Sequence, residues 1–579
     1  MFKINNHFLS RYIIFFLSSL IVSCQYLTQN SVISNKNSTL AKEKQNILVQ
    51  TSTSLGVGLH GISDWSTQHP FIDHFKTSRS WITQCVKSDE NCLSKWSTKE
   101  ENLLNLDQNG WVKSLPKKND NLQYSRVSTL LFVGIPNLFP KGKYIVLYEG
   151  EGTLQYQFAG KKIISESKLG RDVIEVNSSD KRGILITITA TDPKNTGNYI
   201  RNIRVIEAKN EQLFKQGEIF NPLFLEKIKP FSTLRFMDWM KTNNSPQKQW
   251  QDRPIPDIVT YSQKGVALET MIALANKLQK DVWFNIPHQA TDEYIANFTQ
   301  LVKNTLDPNL KIYLEFSNEV WNWQFKQAHY ALAQGKKHWN QEGNAYMQWY
   351  GMRTAQMCDI AQKTFGDQKN RLNCVMSTQT SWQGLEKAVL DCPLWVAQGN
   401  NPCYKHGISA YAITGYFGSS LGIPENQSVV QSWLKESDGG FNKAIEHLKT
   451  GKLLHSKRKD SLPDINQKFL YHSQVAQARG LQLVAYEGGQ HITGVKQVKN
   501  NQKLTDFFIA LNRRPEMYDL YTELLNNWEK AGGGLFMHFV DIGKPSKHGS
   551  WGALEYLDQL ESPKYKALIG FINNQKSDH

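Results

Sequence analysis

The chain has 579 residues, of which 40% are apolar and 11% aromatic, including 16 tryptophans. This length exceeds one compact core of ordinary size, so we expect a large globular domain with at least one insertion. Scattered surface lysines explain the formal net charge of +15 most simply, and affinity for an acidic polysaccharide or an anionic envelope surface is the alternative. No basic arm or nucleic-acid-binding motif is present, which argues against nucleic acid as a partner.

The N-terminus predicts export. Lys3 and Arg11 precede or flank a short apolar run over residues 12–22, which is too short to span a bilayer as a stable helix. The run ends in Ile21-Val22-Ser23-Cys24, which resembles the bacterial lipoprotein signal and implies a signal peptide over residues 1–23 with lipid on Cys24. An ordinary secretory signal is the alternative. Because residue 25 is not aspartate, we expect a cell-envelope lipoprotein of the outer membrane, held there by its lipid.

The rest of the chain divides into a tether, a large domain and an insertion. Residues 24–50 are polar and rich in Asn, Ser, Lys and Gln, which is typical of a flexible tether. Between residues 111 and 206 short segments alternate polar and apolar residues, separated by turn residues, and this predicts an antiparallel β-sandwich. We assign residues 101–210 to this inserted domain, and residues 51–100 together with 211–579 to the domain that surrounds it.

The surrounding domain predicts a parallel barrel. From residue 211 candidate strands alternate with helical stretches, the pattern of parallel strands joined by crossover helices. The predicted strands cover residues 55–59, 232–236, 282–286, 312–317, 372–377, 408–413, 481–486 and 535–539. Eight is the number in a (β/α)8, or TIM, barrel, so the predicted fold class is α/β, a TIM barrel with an inserted β-sandwich. A doubly wound sheet is the main alternative, but neither a Gly-x-Gly-x-x-Gly motif nor a phosphate loop is present.

Helices are predicted over residues 70–81, 265–278, 292–306, 344–365, 427–450, 466–480, 503–531 and 563–573. Six cysteines remain beyond Cys24, and an even number in an oxidising compartment suggests disulfides. The simplest connectivity joins local pairs: Cys85–Cys92, Cys358–Cys374 and Cys392–Cys403. Neither a Cys-x-x-Cys spacing nor nearby histidines point to a metal site, so we expect none.

Function in such a barrel lies at the C-terminal strand ends. The fourth predicted strand ends in Asn318-Glu319, with Trp321 and Trp323 just beyond, and the seventh ends at Glu487. A carboxylic acid can protonate a glycosidic oxygen, an amide can bind a hydroxyl, and indoles can stack on sugar rings. The other polar or aromatic residues at strand ends are His60, Asp64, Arg235, Asp238, Trp239, Asn285, His288, Gln379, Trp382, Tyr416, His538, Asp541 and Trp551. Such a set favours carbohydrate chemistry.

These residues resemble the motifs of the clan A glycoside hydrolases, retaining enzymes built on a (β/α)8 barrel. Residues 315–323 are also similar to bacterial exported proteins labelled cellulose-binding. The resemblance implies that Glu319 is the acid/base and Glu487 the nucleophile, and that Arg235 supports the nucleophile while Tyr416 contacts it. We expect the carbohydrate to contact Arg235, Asn318, Asn285, His288, Trp321, Trp323, Tyr416 and Trp551, and we expect neither a metal nor a cofactor.

Some points stay open at this level. Clan A enzymes usually carry a tryptophan at the end of strand eight, whereas this strand ends in His538-Phe539, so either Trp551 folds back or Phe539 takes its place. Glu319 could instead cap the following helix, and Glu315 is a rival acid that strand alternation places inside the barrel. The predicted function is double-displacement hydrolysis of a polysaccharide or oligosaccharide by two glutamates. The alternatives are a non-catalytic carbohydrate-binding surface lipoprotein and an envelope structural protein.

Overall fold

The computed structural model describes residues 53–86, 92, 94–117 and 120–577. The predicted signal peptide and tether, with Cys24, lie outside the described residues. Thr51–His579 form one compact unit. The strands of the described residues are β1 Ser54–Gly58, β2 Ile82–Gln84, β3 Arg126–Leu131, β4 Gly142–Glu149, β5 Gly152–Phe158, β6 Gly160–Lys162, β7 Arg171–Val176, β8 Ile184–Thr191, β9 Arg201–Glu207, β10 Thr233–Arg235, β11 Asp281–Ile286, β12 Ile312–Phe316, β13 Leu372–Ser377, β14 Ile408–Phe417, β15 Gln482–Gln490 and β16 Leu535–His538.

Eight strands close into a parallel barrel in the order β1, β10, β11, β12, β13, β14, β15, β16. Strand β16 returns to β1, with Ser54 opposite Leu535. The helices are α1 Glu211–Lys215, α2 Pro222–Ile228, α3 Tyr261–Lys264, α4 Leu268–Leu278, α5 Asp292–Thr305, α6 Lys326–Trp339, α7 Ala345–Phe365, α8 Leu385–Val389, α9 Pro393–Val396, α10 Gln427–Trp433, α11 Phe441–Thr450, α12 Leu462–Gln477, α13 Gln502–Asn512, α14 Met517–Lys530 and α15 Pro563–Ser577. The predicted fold class, a TIM barrel with an additional antiparallel β-structure, is confirmed.

The barrel follows from buried strands and one-sided helices. All five residues of β12 are buried, as expected for a parallel strand that is covered by side chains inside the barrel and by helices outside. Helix α5 begins after Thr291, whose hydroxyl accepts a hydrogen bond from the backbone N–H of Tyr294. Its buried face repeats at helical spacing through Tyr294, Ile295, Phe298 and Val302. Each helix that connects two barrel strands therefore buries one apolar face against the barrel. This packing fixes the position of the strand that follows the helix.

Several helix predictions need correction. Residues 70–81 form only a 3-10 turn at His74–Thr77, because the chain here makes bridges from Phe71 to Phe220 and from Asp73 to Ile206. Residues 427–450 form two helices, α10 and α11, separated at Gly439 and Gly440, which both have positive φ. Residues 503–531 also form two helices, α13 and α14, with Pro515 between them, where proline cannot continue the hydrogen-bond ladder. Helix α6 was not predicted.

The additional β-structure consists of two antiparallel four-stranded sheets, in the orders β2-β3-β8-β5 and β6-β7-β4-β9. A separate apolar core lies within it and includes Trp111, Ile186 and Val205. This core also contains Trp81, and β2 pairs with β3, so the sandwich begins before the expected boundary at residue 101. The sequence predicts a helix over residues 70–81 instead, and β2, the first strand of the sandwich, has only three residues.

The sandwich is fixed to loops that follow barrel strands. The Lys76 ammonium donates hydrogen bonds to the carbonyl oxygens of Pro256 and Ile258, at 2.7 and 2.6 Å. Arg79 pairs with Asp64, which lies just after β1, at 2.7 Å. The insertion between the first and second barrel strands therefore stands beside the strand ends at which the candidate site lies.

Three disulfides join Cys85 to Cys92, Cys358 to Cys374 and Cys392 to Cys403, which is the local pairing that the sequence predicts. Within the described ranges, none of the helices combines the length and apolar character that crossing a bilayer requires.

Candidate active site

The two candidate glutamates belong to different barrel strands. Glu319 lies three residues after the end of β12, in a turn in which both Ser317 (φ 63°) and Glu319 (φ 43°) have left-handed backbone conformations. Such conformations cost on the order of 1–3 kcal/mol each and persist only where the surroundings hold them. The turn directs the side chains of Asn318 and Glu319 to different partners at the barrel mouth. It begins where the Ser317 N–H donates to the carbonyl oxygen of Ile286 at 2.7 Å.

Glu487 lies inside β15, which extends to Gln490 instead of ending at residue 486 as predicted. The pairing with β14 shifts register here, because Ala485 faces Ile413 and Glu487 faces the next residue, Thr414. Tyr486 is therefore the extra residue of a β-bulge, which changes the direction of neighbouring side chains. In a regular strand, the adjacent residues Tyr486 and Glu487 would point to opposite faces of the sheet. Because of the bulge, both side chains reach the site.

Arg235, at the end of β10, connects the site residues. Its guanidinium donates to Glu487 Oε2 at 3.1 Å, to Glu315 Oε2 at 3.2 Å and to Asn318 Oδ1 at 2.9 Å. The group is buried and lies 5.3 Å from the centroid of the Tyr486 ring. A guanidinium can serve several oxygens at once because its N–H groups are fixed in a plane. Arg235 thus fixes Glu487, the candidate nucleophile, relative to the residues on and after β12.

The two glutamates have different hydrogen-bond partners. Glu487 Oε1 accepts a hydrogen bond from the Tyr416 hydroxyl at 3.1 Å, in addition to the bond from Arg235. Glu319 Oε1 accepts from the Tyr486 hydroxyl at 3.0 Å, and its Oε2 accepts from the Asn322 amide at 2.9 Å. Glu319 therefore accepts only from neutral groups, whereas Glu487 accepts from a cation. Helix α6 begins at Lys326, so Glu319 does not cap it.

The electrostatics show that the two carboxylates share one pocket. Burial raises the pKa of Glu487, and the negative charge of Glu319 raises it further, while the Arg235 charge opposes both effects. Burial, together with the charges of both glutamates, also holds the pKa of the Tyr416 and Tyr486 hydroxyls well above the usual value, so both remain donors. A negative charge close to a buried carboxylate makes its ionised form less favourable, so Glu487 keeps its proton above the ordinary carboxyl range. The Arg235 cation and the hydrogen bond from Tyr416 favour the charged form of Glu487.

A third carboxylate, Glu315, supports the site from below. It is fully buried and accepts hydrogen bonds from Arg235, from Trp283 at 3.0 Å, from Asn285 at 2.8 Å and from Ser377 at 2.6 Å. These partners leave it no capacity to act as the acid, and it holds Arg235 in place. Asn285 is also fully buried, with its amide directed at Glu315 and at the Ser317 carbonyl. Asn285 therefore acts as a positioning residue through its amide N–H groups, whereas its Oδ1 has no hydrogen-bond partner among the described residues, and the expected contact with carbohydrate stays a prediction.

The aromatic residues beyond β12 divide into core and surface. Trp321 is only 7% exposed and packs against Tyr350 and Tyr486, so it supports Tyr486, and its expected contact with carbohydrate stays a prediction. Trp323 is 48% exposed, with one edge near Tyr346, and keeps a free surface at the barrel mouth.

His288 is nearly fully buried and packs edge-on against Tyr330. Burial lowers the pKa of its imidazole to about 4, so the ring is neutral. Asn318 is buried as well, and its amide accepts a hydrogen bond from Arg235 and donates one to Asn243 at 3.1 Å. Neither residue lies on an open surface, and the Nδ1 atom of His288 has no hydrogen-bond partner among the described residues.

Two aromatic rings, Trp551 and Phe539, lie beside the end of β16 and form one side of the pocket. Trp551 folds back towards the strand end, 5.7 Å from Phe539 and 5.9 Å from Tyr416 between ring centroids. Its indole N–H donates to the His548 carbonyl at 2.9 Å, which fixes the ring plane. Both Trp551 and Phe539 are partly exposed. The two possibilities left open by the sequence thus combine, since both rings line the side of the pocket next to Tyr416.

Sequence reasoning missed Tyr486, Ser377 and Trp283. Tyr486 reads as an ordinary apolar strand residue, because the bulge that turns it into the pocket has no signal in the alternation. Trp283 and Ser377 contact Glu315 across neighbouring strands, and only strand order and register bring them together. Among the described residues, no group of three or more His, Cys, Asp or Glu side chains is arranged to hold a metal ion.

Comparison with protein-family models finds no match, and neither does comparison with curated protein sequences. Among solved structures, part of the chain is similar to a GH5-4 broad-specificity endoglucanase from Clostridium acetobutylicum, at 12% identity over 61% of this chain and 91% of that one, with a TM-score of 0.34. A GH5 xyloglucan-specific endo-β-1,4-glucanase from a metagenomic library has 12% identity over 61% and 87%, with a TM-score of 0.33. A family 5 xyloglucanase from Paenibacillus pabuli has 11% identity over 61% and 90%, also with a TM-score of 0.33. At this level of similarity we infer neither activity nor substrate from these enzymes.

The buried position of Arg235 generates a stability prediction. Arg235→Leu leaves Glu315 and Glu487 without their cation, and breaking a buried ion pair in this way lowers the free energy of unfolding by about 3–5 kcal/mol. Arg513→Leu is the matched control, because Arg513 pairs with Glu555 at an exposed position, where the expected change is about 0–1 kcal/mol. Urea unfolding of both variants measures the difference. Equal losses in the two variants would show that Arg235 does not hold the site together.

Proposed function

We propose that this protein is a retaining glycoside hydrolase that acts on a polysaccharide or oligosaccharide. The observation that carries the proposal is the unequal environment of two carboxylates in one pocket. Glu487 accepts a hydrogen bond from a buried cation, whereas Glu319 accepts only from neutral donors. A pair with the charge fixed on one member and the proton on the other is what double displacement at an anomeric carbon requires.

In the first step, a carboxylate oxygen of Glu487 attacks the anomeric carbon while Glu319 gives its proton to the departing glycosidic oxygen. The glycosidic bond breaks as the bond to Glu487 forms, which leaves a covalent glycosyl-enzyme and a neutral leaving alcohol. Arg235 and Tyr416 donate hydrogen bonds to Glu487 and so hold the attacking carboxylate in one orientation.

In the second step, Glu319 is ionised and accepts a proton from a water molecule that attacks the same carbon. The bond to Glu487 breaks, the sugar leaves with its original anomeric configuration, and both glutamates return to their starting protonation states. The loss of the Glu487 negative charge in the intermediate removes repulsion on Glu319, and its return restores that repulsion.

The substrate would be held by ring surfaces and by a few polar groups. Trp551 and Phe539 lie next to Tyr416, so they suit the sugar that reacts, and the exposed face of Trp323 suits a sugar or aglycone beyond Glu319. Aromatic rings bind the apolar faces of sugars, and long carbohydrate chains gain affinity from several such contacts.

The first functional prediction concerns the roles of the two glutamates. Glu487→Ala removes the nucleophile, so turnover is lost, and added azide yields a glycosyl azide of inverted configuration. Glu319→Ala lowers kcat/KM by about 10²–10⁴-fold for substrates with poor leaving groups and much less for activated aryl glycosides, which need no proton. Product analysis by NMR gives the configurations. Interchanged rescue patterns would reverse the assignment, and wild-type protein inactive on every glycan would favour a non-catalytic carbohydrate-binding protein.

The second concerns pH. Because burial and Glu319 raise the pKa of Glu487, the pair loses its last proton well above 4.5, the ordinary glutamate value. The singly protonated pair is the active form, so kcat/KM falls as the pH rises past that last ionisation. In Glu319→Gln the repulsion is removed and the pKa of Glu487 moves down, so with an activated substrate the basic limb disappears and activity extends to lower pH. An unchanged basic limb in this variant would mean that Glu319 does not carry the proton.

We also propose that the protein is an exported lipoprotein of the cell envelope, anchored through Cys24 in the outer membrane. The three disulfides support an oxidising compartment, where such bonds persist. Cys24→Ser is expected to shift the protein from the membrane fraction to the soluble fraction, and metabolic labelling with a radioactive fatty acid should label the wild type alone. Equal fractionation of the two forms, with no label, would leave an ordinary secretory signal as the explanation.

A further inference from the structure

Asp238 is a carboxylate at the site that the proposed chemistry does not use. It lies three residues beyond β10, and its backbone carbonyl accepts the Lys241 N–H at 3.1 Å. Its side chain is partly exposed, and within the described part of the chain it has neither a hydrogen-bond donor nor an ion-pair partner. Every other carboxylate considered at this site accepts at least one hydrogen bond. An unsatisfied carboxylate in a pocket is available to a ligand.

Asp238 follows Arg235, which donates to Glu487, by three residues at the same strand end. Burial raises the pKa of Asp238 to about 6, and Arg235 and Lys241 oppose that effect. Asp238 in turn contributes to the raised pKa of Glu487 and of Asp541. Arg235 does not satisfy Asp238, because its Nη atoms donate to Glu487, Glu315 and Asn318 and no hydrogen bond joins Arg235 to Asp238. Lys241 acts on Asp238 only from a longer distance, since no ion pair joins them.

The wall beside Asp238 suits a sugar ring. Gly61 lies close to Asp238: a Cβ atom added to this glycine would be 3.7 Å from the Cβ of Asp238. Next along this loop, Trp65 is 48% exposed and packs edge-on against His60, with ring centroids 5.8 Å apart. An exposed indole and an unpaired carboxylate are therefore carried by the neighbouring loops that follow β1 and β10. A neutral sugar can be held by stacking of its ring on an indole and by hydrogen bonds from its hydroxyl groups to a carboxylate.

We propose that Asp238 is a specificity-determining residue that accepts hydrogen bonds from the hydroxyl groups of a neutral sugar beside the catalytic pair and excludes a sugar that carries a carboxylate. This inference rests on the proposed glycosidase function and narrows its substrate class. A carboxylate has two oxygens and no proton to donate when it is charged, so it matches hydroxyl groups and not another anion. Two carboxylates brought together in a pocket of low polarity repel each other strongly.

The test compares substrates that differ in one group. Wild-type protein, Asp238→Asn and the control Asp519→Asn, an exposed carboxylate on α14, are assayed on paired aryl β-glycosides of one and two sugars. The members of each pair carry either a hydroxymethyl group or a carboxylate at C6. We expect the wild type and the control to prefer the neutral member. In Asp238→Asn, kcat/KM for the neutral member falls about 10- to 100-fold, the loss typical of a hydrogen bond to a charged group, while that for the uronide rises.

Some outcomes would overturn the inference and leave the proposed function standing. The first is that wild type and Asp238→Asn turn over neutral glycosides with the same ratio of kcat/KM between the neutral and the uronide substrate. The second is that the wild type prefers the uronide, which would point to Lys241 as the contact. The third is that the wild type prefers an amino sugar and Asp238→Asn removes that preference. A wild type inactive on every glycoside would instead sink the proposed function, and this inference with it.

Binding provides a second measurement that does not need turnover. Calorimetry on Glu487→Gln, with and without Asp238→Asn, uses the neutral and uronic disaccharides themselves as probes. A weaker neutral complex and a stronger uronic complex in the double variant would support the inference, and unchanged affinities would count against it. Thermal unfolding of each variant distinguishes loss of the fold from loss of the contact.

Discussion

A single buried guanidinium links the parts of this site. Arg235 comes from the second barrel strand and donates to carboxylates from the fourth and seventh strands, and also to the amide of Asn318. Burying a cation is costly unless its charge and its N–H groups are satisfied, so the strand ends must lie where they can satisfy it. The closed barrel meets this requirement, because its strand order brings all three ends to one mouth. Glu315 completes the arrangement, since its own four donors leave it fixed beneath Arg235.

Local irregularities in the strands convert the scaffold into a site. A regular strand would point Tyr486 and Glu487 to opposite faces, but the bulge in β15 brings both to the pocket. The turn after β12, with two left-handed residues, separates the directions of Asn318 and Glu319. Each irregularity gives one glutamate its own hydrogen-bond partners. The difference between the two carboxylates, on which the proposed chemistry depends, is therefore set by backbone geometry as much as by residue type.

The sequence predicted the barrel well, because buried parallel strands appear as short apolar runs and their number and order determine closure. It also identified Glu319, Glu487, Arg235 and Tyr416 as neighbours, since strand ends of one barrel meet at one mouth. It could not separate exposed from buried aromatic residues, so Trp321 and Trp323 looked alike. It did not reveal that Asn285 faces Glu315, because that contact depends on the register between strands. The start of the sandwich was missed where its first strand has only three residues.

The position of the insertion bears on how the chain reaches its fold. Strand β1 pairs only with β10, which follows the whole sandwich, and with β16, which lies near the end of the chain. While the chain emerges, β1 has no partner until the sandwich has been made, and the barrel cannot close until the last strand arrives. Contacts of such long sequence separation form slowly and leave strand edges exposed in the meantime. The sandwich, with its own core, can fold first and hold the loops after β1 near their final places, so that the insertion serves as an assembly platform for the barrel around it.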